Sequence, residues 1–213
     1  LKKRPVYRFF KRLFDILLCS LALILLSPLL LVVALAIVID DPKGGPIFVQ
    51  TRVGKNGKTF RLYKFRSMVV NAEAILAKRE KNGTARQNND KKPGDPTYKD
   101  KNDDRITRVG RVIRKNSIDE LPQIINVIKG DMSIVGPRPP LPKEVATYND
   151  FSLQRLLIRP GLTCIWQTTR NRDEVPFAGW MKMDVTYIQH CGFFMDCKLI
   201  LKTFITILRG DGH

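Results

Sequence analysis

Hydrophobic and polar positions divide this chain into one long apolar run and a polar remainder with short periodic segments. From Ile16 to Ile39 there are 24 residues without a charge. As a helix they extend roughly 36 Å, enough for a hydrocarbon core of about 30 Å. Ser27-Pro28 falls at mid-run. Proline removes the hydrogen bond to the Ile24 carbonyl and crowds that turn, so a kink or break is expected, with Ser27 partly satisfying the freed backbone. Lys2, Lys3, Arg4, Arg8, Lys11 and Arg12 precede the run; Lys43, Arg52, Lys55, Lys58 and Arg61 follow it. The positive-inside bias therefore holds both ends in the cytoplasm. Two arms of roughly 18 Å would then enter and leave on one side. The plain alternative is a kinked helix that spans.

Residues 47–66 alternate apolar and polar positions around Asn56-Gly57, which predicts a β-hairpin with a type I′ turn. Helical spacing covers Ser67–Glu80, with Met68, Ala72, Ile75 and Leu76 apolar. Residues 81–104 are polar, with no Leu, Ile, Val, Phe or Trp, and read as a loop insertion. A short basic segment, Arg105–Arg114, leads to a helix over 117–129. That helix has one apolar face, Leu121, Ile124, Ile125 and Ile128, and Gly130 closes it. Residues 132–142 read as irregular, and about 142–158 as helical up to Pro160-Gly161. Asp196–Arg209 reads as an amphipathic helix suited to a membrane interface. The fold class is α+β, mostly helical with a small β-hairpin. Residues 1–40 form a basic N-terminus and membrane helix, and 41–213 a second domain at the membrane surface. The start at Leu1 reads as a processed chain or the C-terminal piece of a longer one, and nothing resembles a cleaved signal peptide.

Charge changes this picture less than it promises. Thirty-seven Lys+Arg against 20 Asp+Glu give +17, a field that attracts nucleic acid, anionic lipid or nucleotide-linked substrates. Cys19, Cys164, Cys191 and Cys197 show no metal-ligand spacing and read as reduced thiols. With only His190 and His213 available, zinc is disfavoured.

The informative local feature is Asp119-Glu120, which follows Arg105, Arg108, Arg111, Arg114 and Lys115. Ser117 as N-cap with Glu120 three residues on makes a capping box. With Asp119 as N-cap, Pro122 falls where its missing N–H costs nothing. In both registers the carboxylates occupy a first helical turn, which holds them ionised and also binds phosphate. An ionised Asp beside a phosphate is a nucleophile towards phosphorus, and the adjacent Glu suits a divalent cation. Helix capping is the plain alternative.

Several motifs together resemble the bacterial sugar transferase family, the monotopic polyprenol-phosphate phosphoglycosyl transferases. They are KRLFD (11–15), Ser27-Pro28, GPIFVQTRVGKNGKTFRLYKFRSM (45–68), DDRITRVGRVIRKNSIDELPQIINVIKGDMSIVGPRP (103–139), RPGLT (159–163), IWQ (165–167), Asp184 with Tyr187, and DCKLILKT (196–203). The resemblance implies Asp119 as nucleophile, and Glu120, with Asp119, at a Mg²⁺ and phosphate site. It implies Arg66, Arg114, Gln123 and Arg138 as contacts to phosphate or nucleotide. It also implies a re-entrant helix broken at Ser27-Pro28 and a place at the bacterial inner membrane, with the catalytic domain in the cytoplasm. The implied reaction moves a sugar 1-phosphate from a UDP-sugar to polyprenol (undecaprenyl) phosphate, releases UMP, and begins exopolysaccharide, capsule or O-antigen assembly. The insertion 81–104 resembles the longer members, which use glucose or galactose. Partners are then the two substrates and an anionic bilayer, not nucleic acid; a homo-oligomer is compatible. Cys164, Arg170-Asn171-Arg172 and Cys191-Gly-Phe-Phe depart from the usual pattern, away from Asp119-Glu120.

Two other readings compete. A membrane-anchored polyanion-binding protein predicts salt-dependent binding and no role for Asp119, but the aromatic residues are not interleaved with the basic ones. An ordinary glycosyl transferase would release UDP instead of UMP.

Overall fold

The computed structural model describes residues 4–82, 103–170 and 172–208. Most of the insertion 81–104 lies outside them. The apolar run lies within α1, Pro5–Asp40, with proline in its first turn. Where two arms are expected, one helix passes through Pro28. The Ser27 hydroxyl donates to the Ile24 carbonyl at 2.7 Å, the acceptor that proline leaves without its amide, so the helix continues.

The hairpin forms as read. β1 (Ile47–Val53) pairs antiparallel with β2 (Thr59–Phe65) from Ile47↔Phe65 to Val53↔Thr59. Asn56 and Gly57 both take positive φ, 57° and 75°, and the Lys58 amide closes on the Lys55 carbonyl at 3.3 Å. The ladder stops at Val53, so the link is Gly54–Lys58 rather than two residues.

The predicted helix 67–80 begins later, as α2, Ala72–Lys81. Ser67–Val69 instead pair with 105–107: the amides of Val69 and Thr107 donate to Arg105 and Ser67 carbonyls, and Met68 bridges to Ile106. The basic segment becomes α3, Arg108–Lys115, capped by the Thr107 hydroxyl, which accepts from the Gly110 amide at 2.9 Å. Gly110 is required by closeness. A Cβ there would lie 2.0 Å from the Ser67 carbonyl oxygen.

The helix expected over 117–129 divides. Ser117 is left-handed (φ 55°), Ile118–Glu120 make a single 3₁₀ turn, and α4 spans Gln123–Lys129 behind Pro122. Neither predicted cap forms: Ser117 makes no side-chain cap bond, and Pro122 stands at the N-cap of α4, with the Ile124 and Ile125 amides bonded to the Leu121 and Pro122 carbonyls. Gly130 closes α4 in the left-handed conformation, as expected. The region read as irregular holds β3, Ser133–Val135, which pairs in parallel with β4, Gly161–Thr163. Between them, the helical region expected over about 142–158 consists of α5 (Pro142–Val145), α6 (Asp150–Leu153) and a 3₁₀ turn. α7 (Phe177–His190) was not foreseen, and α8 (Phe193–Leu208) starts three residues before the expected Asp196.

One stripe of α1, from Cys19 to Ile37, packs on the rest of the chain. Cys19, Leu23 and Leu26 meet Leu62, Ile124, Val127 and Met132; Leu30, Val33 and Ile37 meet Phe65, Val109 and Ile113. Polar ties hold both ends. Arg12 donates to the Val127 and Ile128 carbonyls at the C-terminus of α4 (2.6 and 2.8 Å), where a cation suits the dipole. Asp15 accepts the Ile134 amide at 3.0 Å, and Lys11 pairs with Asp196 at 2.8 Å. At the other end, Asp40 accepts the Val109 amide at 2.9 Å. The opposite face of α1 leaves Phe9, Leu17, Leu21, Leu25, Val32 and Ile39 exposed, an apolar surface too long for a monomer in water.

Candidate active site

The 3₁₀ turn Ile118–Glu120 lies between α3 and α4 and against β2. It turns Asp119 inward, 7% exposed, with Oδ1 buried and without a hydrogen-bond partner. The expectation of a carboxylate held ionised by helix amides is therefore corrected. Burial pushes Asp119 up from 3.8 to about 6, and Glu120 adds to the rise, against Lys64, Arg114 and Arg138. The turn precedes α4 instead of opening it, so desolvation outweighs the dipole.

Glu120 points to the cations. Its Oε1 is 2.7 Å from Lys64 Nζ and 3.9 Å from Arg138 Nη1. Lys64 and Arg138 then line one polar pocket with Glu120, Arg52, Gln123 and Gln167. Gln123 is 3% exposed. Arg52 holds the Pro139 carbonyl at 3.0 Å and is lowered to about 10 by burial and by Arg138. Arg114 occupies the last turn of α3 beside this group, and its carbonyl accepts the Ser117 amide at 3.0 Å.

The loop after β3 brings Arg138 here. A Cβ on Gly161 would lie 2.1 Å from the Gly136 amide nitrogen, so the GPRP and RPG backbones touch only because both residues lack side chains. Behind the loop, Arg155 donates to the Arg138 carbonyl (2.8 Å) and to the Tyr148 hydroxyl (2.6 Å). Its charge is set against Asp184 at 2.8 Å, both side chains being 1% exposed. Burial pushes Asp184 up to about 6 despite that partner.

Of the sequence-predicted residues, Asp119, Glu120, Arg114, Gln123 and Arg138 come together. Arg66 does not. Its Nε bonds the Gly45 carbonyl, and its Nη atoms bond Asp41 and the Gly44 carbonyl, which fastens the end of α1 to β2. These contacts use four of its five N–H donors. Lys64, Arg52, Gln167 and Arg155 were missed. A signal existed for Lys64: it lies two residues from Leu62, on the face of β2 that meets the core.

The polar pocket adjoins an apolar cavity of about 290 Å³ and shares Glu120, Leu162 and Gln167 with it. Leu26 of α1, Ile124 of α4 and Ile200, Phe204 and Ile207 of α8 line the cavity. Among the described residues, no three His, Cys, Asp or Glu side chains cluster as a metal cage. Mg²⁺ does not need one, since one or two carboxylates plus substrate phosphates commonly hold it. Adjacent Asp119 and Glu120, with Oδ1 unpartnered, fit that requirement.

Comparison with known proteins bears on the family of the chain. The family described as bacterial sugar transferase matches residues 6–210. The chain is 41% identical over 206 residues to an undecaprenyl-phosphate galactose phosphotransferase of Salmonella typhimurium, covering 96% of this chain and 42% of that one. It is 44% identical over 174 residues to the galactosyl transferase CpsE of Streptococcus agalactiae, covering 79% and 36%. With the exopolysaccharide production protein ExoY of Sinorhizobium fredii it shares 40% identity over 210 residues, covering 98% and 90%. It thus spans less than half of the first two relatives and nearly all of the third. On these matches, the chain belongs to the bacterial sugar transferase family.

Proposed function

We propose that this chain transfers a hexose 1-phosphate from a UDP-sugar to undecaprenyl phosphate, releasing UMP, and so starts an exopolysaccharide, capsule or O-antigen repeat. The observation that carries this reading is the buried carboxylate of Asp119, with Oδ1 unpartnered, next to Glu120, which lines both the cation-bearing pocket and the apolar cavity. A diphosphate needs the first neighbour and a lipid acceptor needs the second.

The deprotonated Asp119 attacks the β-phosphorus, the bond to the bridging oxygen breaks, and UMP carries that oxygen away. The sugar 1-phosphate stays on Asp119 as an acyl phosphate. An oxygen of undecaprenyl phosphate then attacks the same phosphorus, forming the lipid diphosphosugar and freeing the carboxylate. The anomeric C–O bond is never broken. Lys64, Arg138, Arg114 and Arg52 offset charge on the transferring phosphoryl oxygens. Mg²⁺ held by Glu120 and Asp119 would supply Lewis-acid screening of the diphosphate.

Both ends of α1 are tied to the same body, and both flanks are basic. These features support a helix that bends at Pro28 once in the bilayer and so enters and returns on the cytoplasmic side of the inner membrane, with α8 in the interface.

Donor alone should give a stoichiometric burst of UMP and a mass gain of one phosphosugar on residues 117–123. Asp119→Asn should abolish both and lower turnover by at least about a thousandfold. UMP that appears only with acceptor, and no trapped adduct, would replace this scheme by direct transfer. Release of UDP would make the chain an ordinary glycosyl transferase.

A further inference from the structure

On the other side of β3 lies a cleft of about 500 Å³ that shares no lining residue with the polar pocket of Glu120. Arg4, Arg8, Lys11, Arg12, Lys55 and Arg159 line it, against a single carboxylate, Asp15. Arg4, Arg12 and Arg159 spend hydrogen bonds on main-chain carbonyls, which leaves their charge uncompensated. Lys11 alone is paired, with Asp196. Among the described residues, no carboxylate pairs with Arg8 or Lys55. Ser133 also lines the cleft, 1% exposed, and its hydroxyl has no hydrogen-bond partner. The chemistry that satisfies this set is a phosphate anion with a free acceptor oxygen.

The cleft does not end in water alone. Arg4, Tyr7, Lys11, Asp15 and Val135 also belong to an apolar groove of about 900 Å³. Phe10, Phe14, Leu18, Phe193, Cys197 and Leu201 wall that groove, between α1 and α8. A soluble phosphate would use the cleft and leave the groove empty. An amphiphile uses both. We infer that the cleft and groove form a binding site for one acidic phospholipid of the phosphatidylglycerol class, with the phosphodiester among Arg8, Lys55, Arg159 and Ser133 and an acyl chain along α1. The inference rests on the membrane placement proposed above, since it puts the basic start of α1 at head-group depth.

The test keeps binding apart from topology and catalysis. Full-length protein in detergent micelles is given phosphatidylglycerol and phosphatidylethanolamine in equal amounts, and retained lipid is read by native mass spectrometry. One phosphatidylglycerol per chain is expected, preferred at least about fivefold over the zwitterion. The R8Q/K55Q double variant should lose that preference with an unchanged circular dichroism spectrum. R111Q/K115Q, which removes the same charge from the exposed side of α3, should keep it. A preference that survives R8Q/K55Q, or falls equally in both variants, overturns the site in favour of the general field. Displacement of the lipid by equimolar inorganic phosphate would make it a free-anion site. One-for-one displacement by polyprenol phosphate would make it an acceptor site. Either result overturns a phospholipid occupant. Failure of the phosphosugar adduct on Asp119 would leave all of these outcomes unaffected.

Discussion

At Asp119, burial sets stability against function. The folded chain holds this proton up to about 6, whereas an exposed aspartate releases it near 3.8. Between those values the folded state binds more protons than the unfolded one, so stability falls as pH rises and stays lower above about 6. Asp119→Asn removes that penalty. At pH 7.5 the inactive variant should melt higher than wild type, by roughly 2–3 kcal/mol at most, and near pH 4 the two should coincide. Thermal melts at both values check this; an Asn variant that is less stable at pH 7.5 would mean that Asp119 gains net stabilisation from its cations. The same titration places the acidic limb of kcat/KM near 6, with activity falling about tenfold per pH unit below it. Glu120 separates from Asp119 by its partners. Glu120→Gln loses the attraction of Lys64 and Arg138, so turnover should fall at least about tenfold and more Mg²⁺ should be needed for half-maximal rate. Full activity of that variant at limiting Mg²⁺ would remove Glu120 from the metal reading. The pair itself was legible as residues 119 and 120, but its protonation was not, because nothing in a local sequence window says how far a side chain is desolvated.

Elements with a strong period were read from the sequence, and those made by contact were not. The apolar run and the alternating residues 47–66 announce α1 and the hairpin on their own. β3 and β4 have three residues each, too short for a period of two to register, and they pair because Gly136 and Gly161 let two backbones touch. Pro122 was weighed as a position within one helix, whereas it separates a 3₁₀ turn from α4. α7 carries helical burial at Trp180, Met181, Asp184, Tyr187 and Ile188, but Gly179, three β-branched residues and a buried acid blur that pattern. The approach of α3 to Ser67 gives an element-scale prediction. Gly110→Ala puts a methyl 2.0 Å from a carbonyl oxygen, so α3 must move off. The expected cost is about 1–3 kcal/mol. Because α3 also carries Arg114, kcat should fall beyond what the lost stability explains. A denaturant melt with a parallel rate measurement checks both, and an unchanged melt would mean that α3 is not held against residues 67–69.

For the whole molecule, the proposed re-entry raises the question of what would keep an apolar helix long enough to cross from crossing. Pro28 is the obvious reason in the sequence, yet the Ser27 hydroxyl replaces the proline's missing donor at the Ile24 carbonyl and the helix runs on. The structure offers a second reason. Arg12 and Asp15 tie the N-terminal half to α4 and β3, while Asp40 and Asp41 tie the C-terminal end to α3 and Arg66. Hydrogen bonds to charged groups contribute about 1.5–3 kcal/mol each, and moving Arg4, Arg8, Lys11 and Arg12 across the bilayer would break the ties at one end as well as oppose the positive-inside bias. Single cysteines beside Arg12 and Lys43, with Cys191 and Cys197 replaced by Ser, can report each flank in intact spheroplasts. An impermeant maleimide should label neither flank until the membrane is opened. Pro28→Leu alone should leave both flanks inside, because the ties remain. Pro28→Leu combined with Arg12→Leu and Asp15→Leu should expose the N-terminal flank, since the helix then has neither a weak point nor an anchor and satisfies its own backbone by spanning. Labelling of one flank from outside in the wild type would show that α1 spans, and the two-ended attachment to the catalytic body would then have to be abandoned with it.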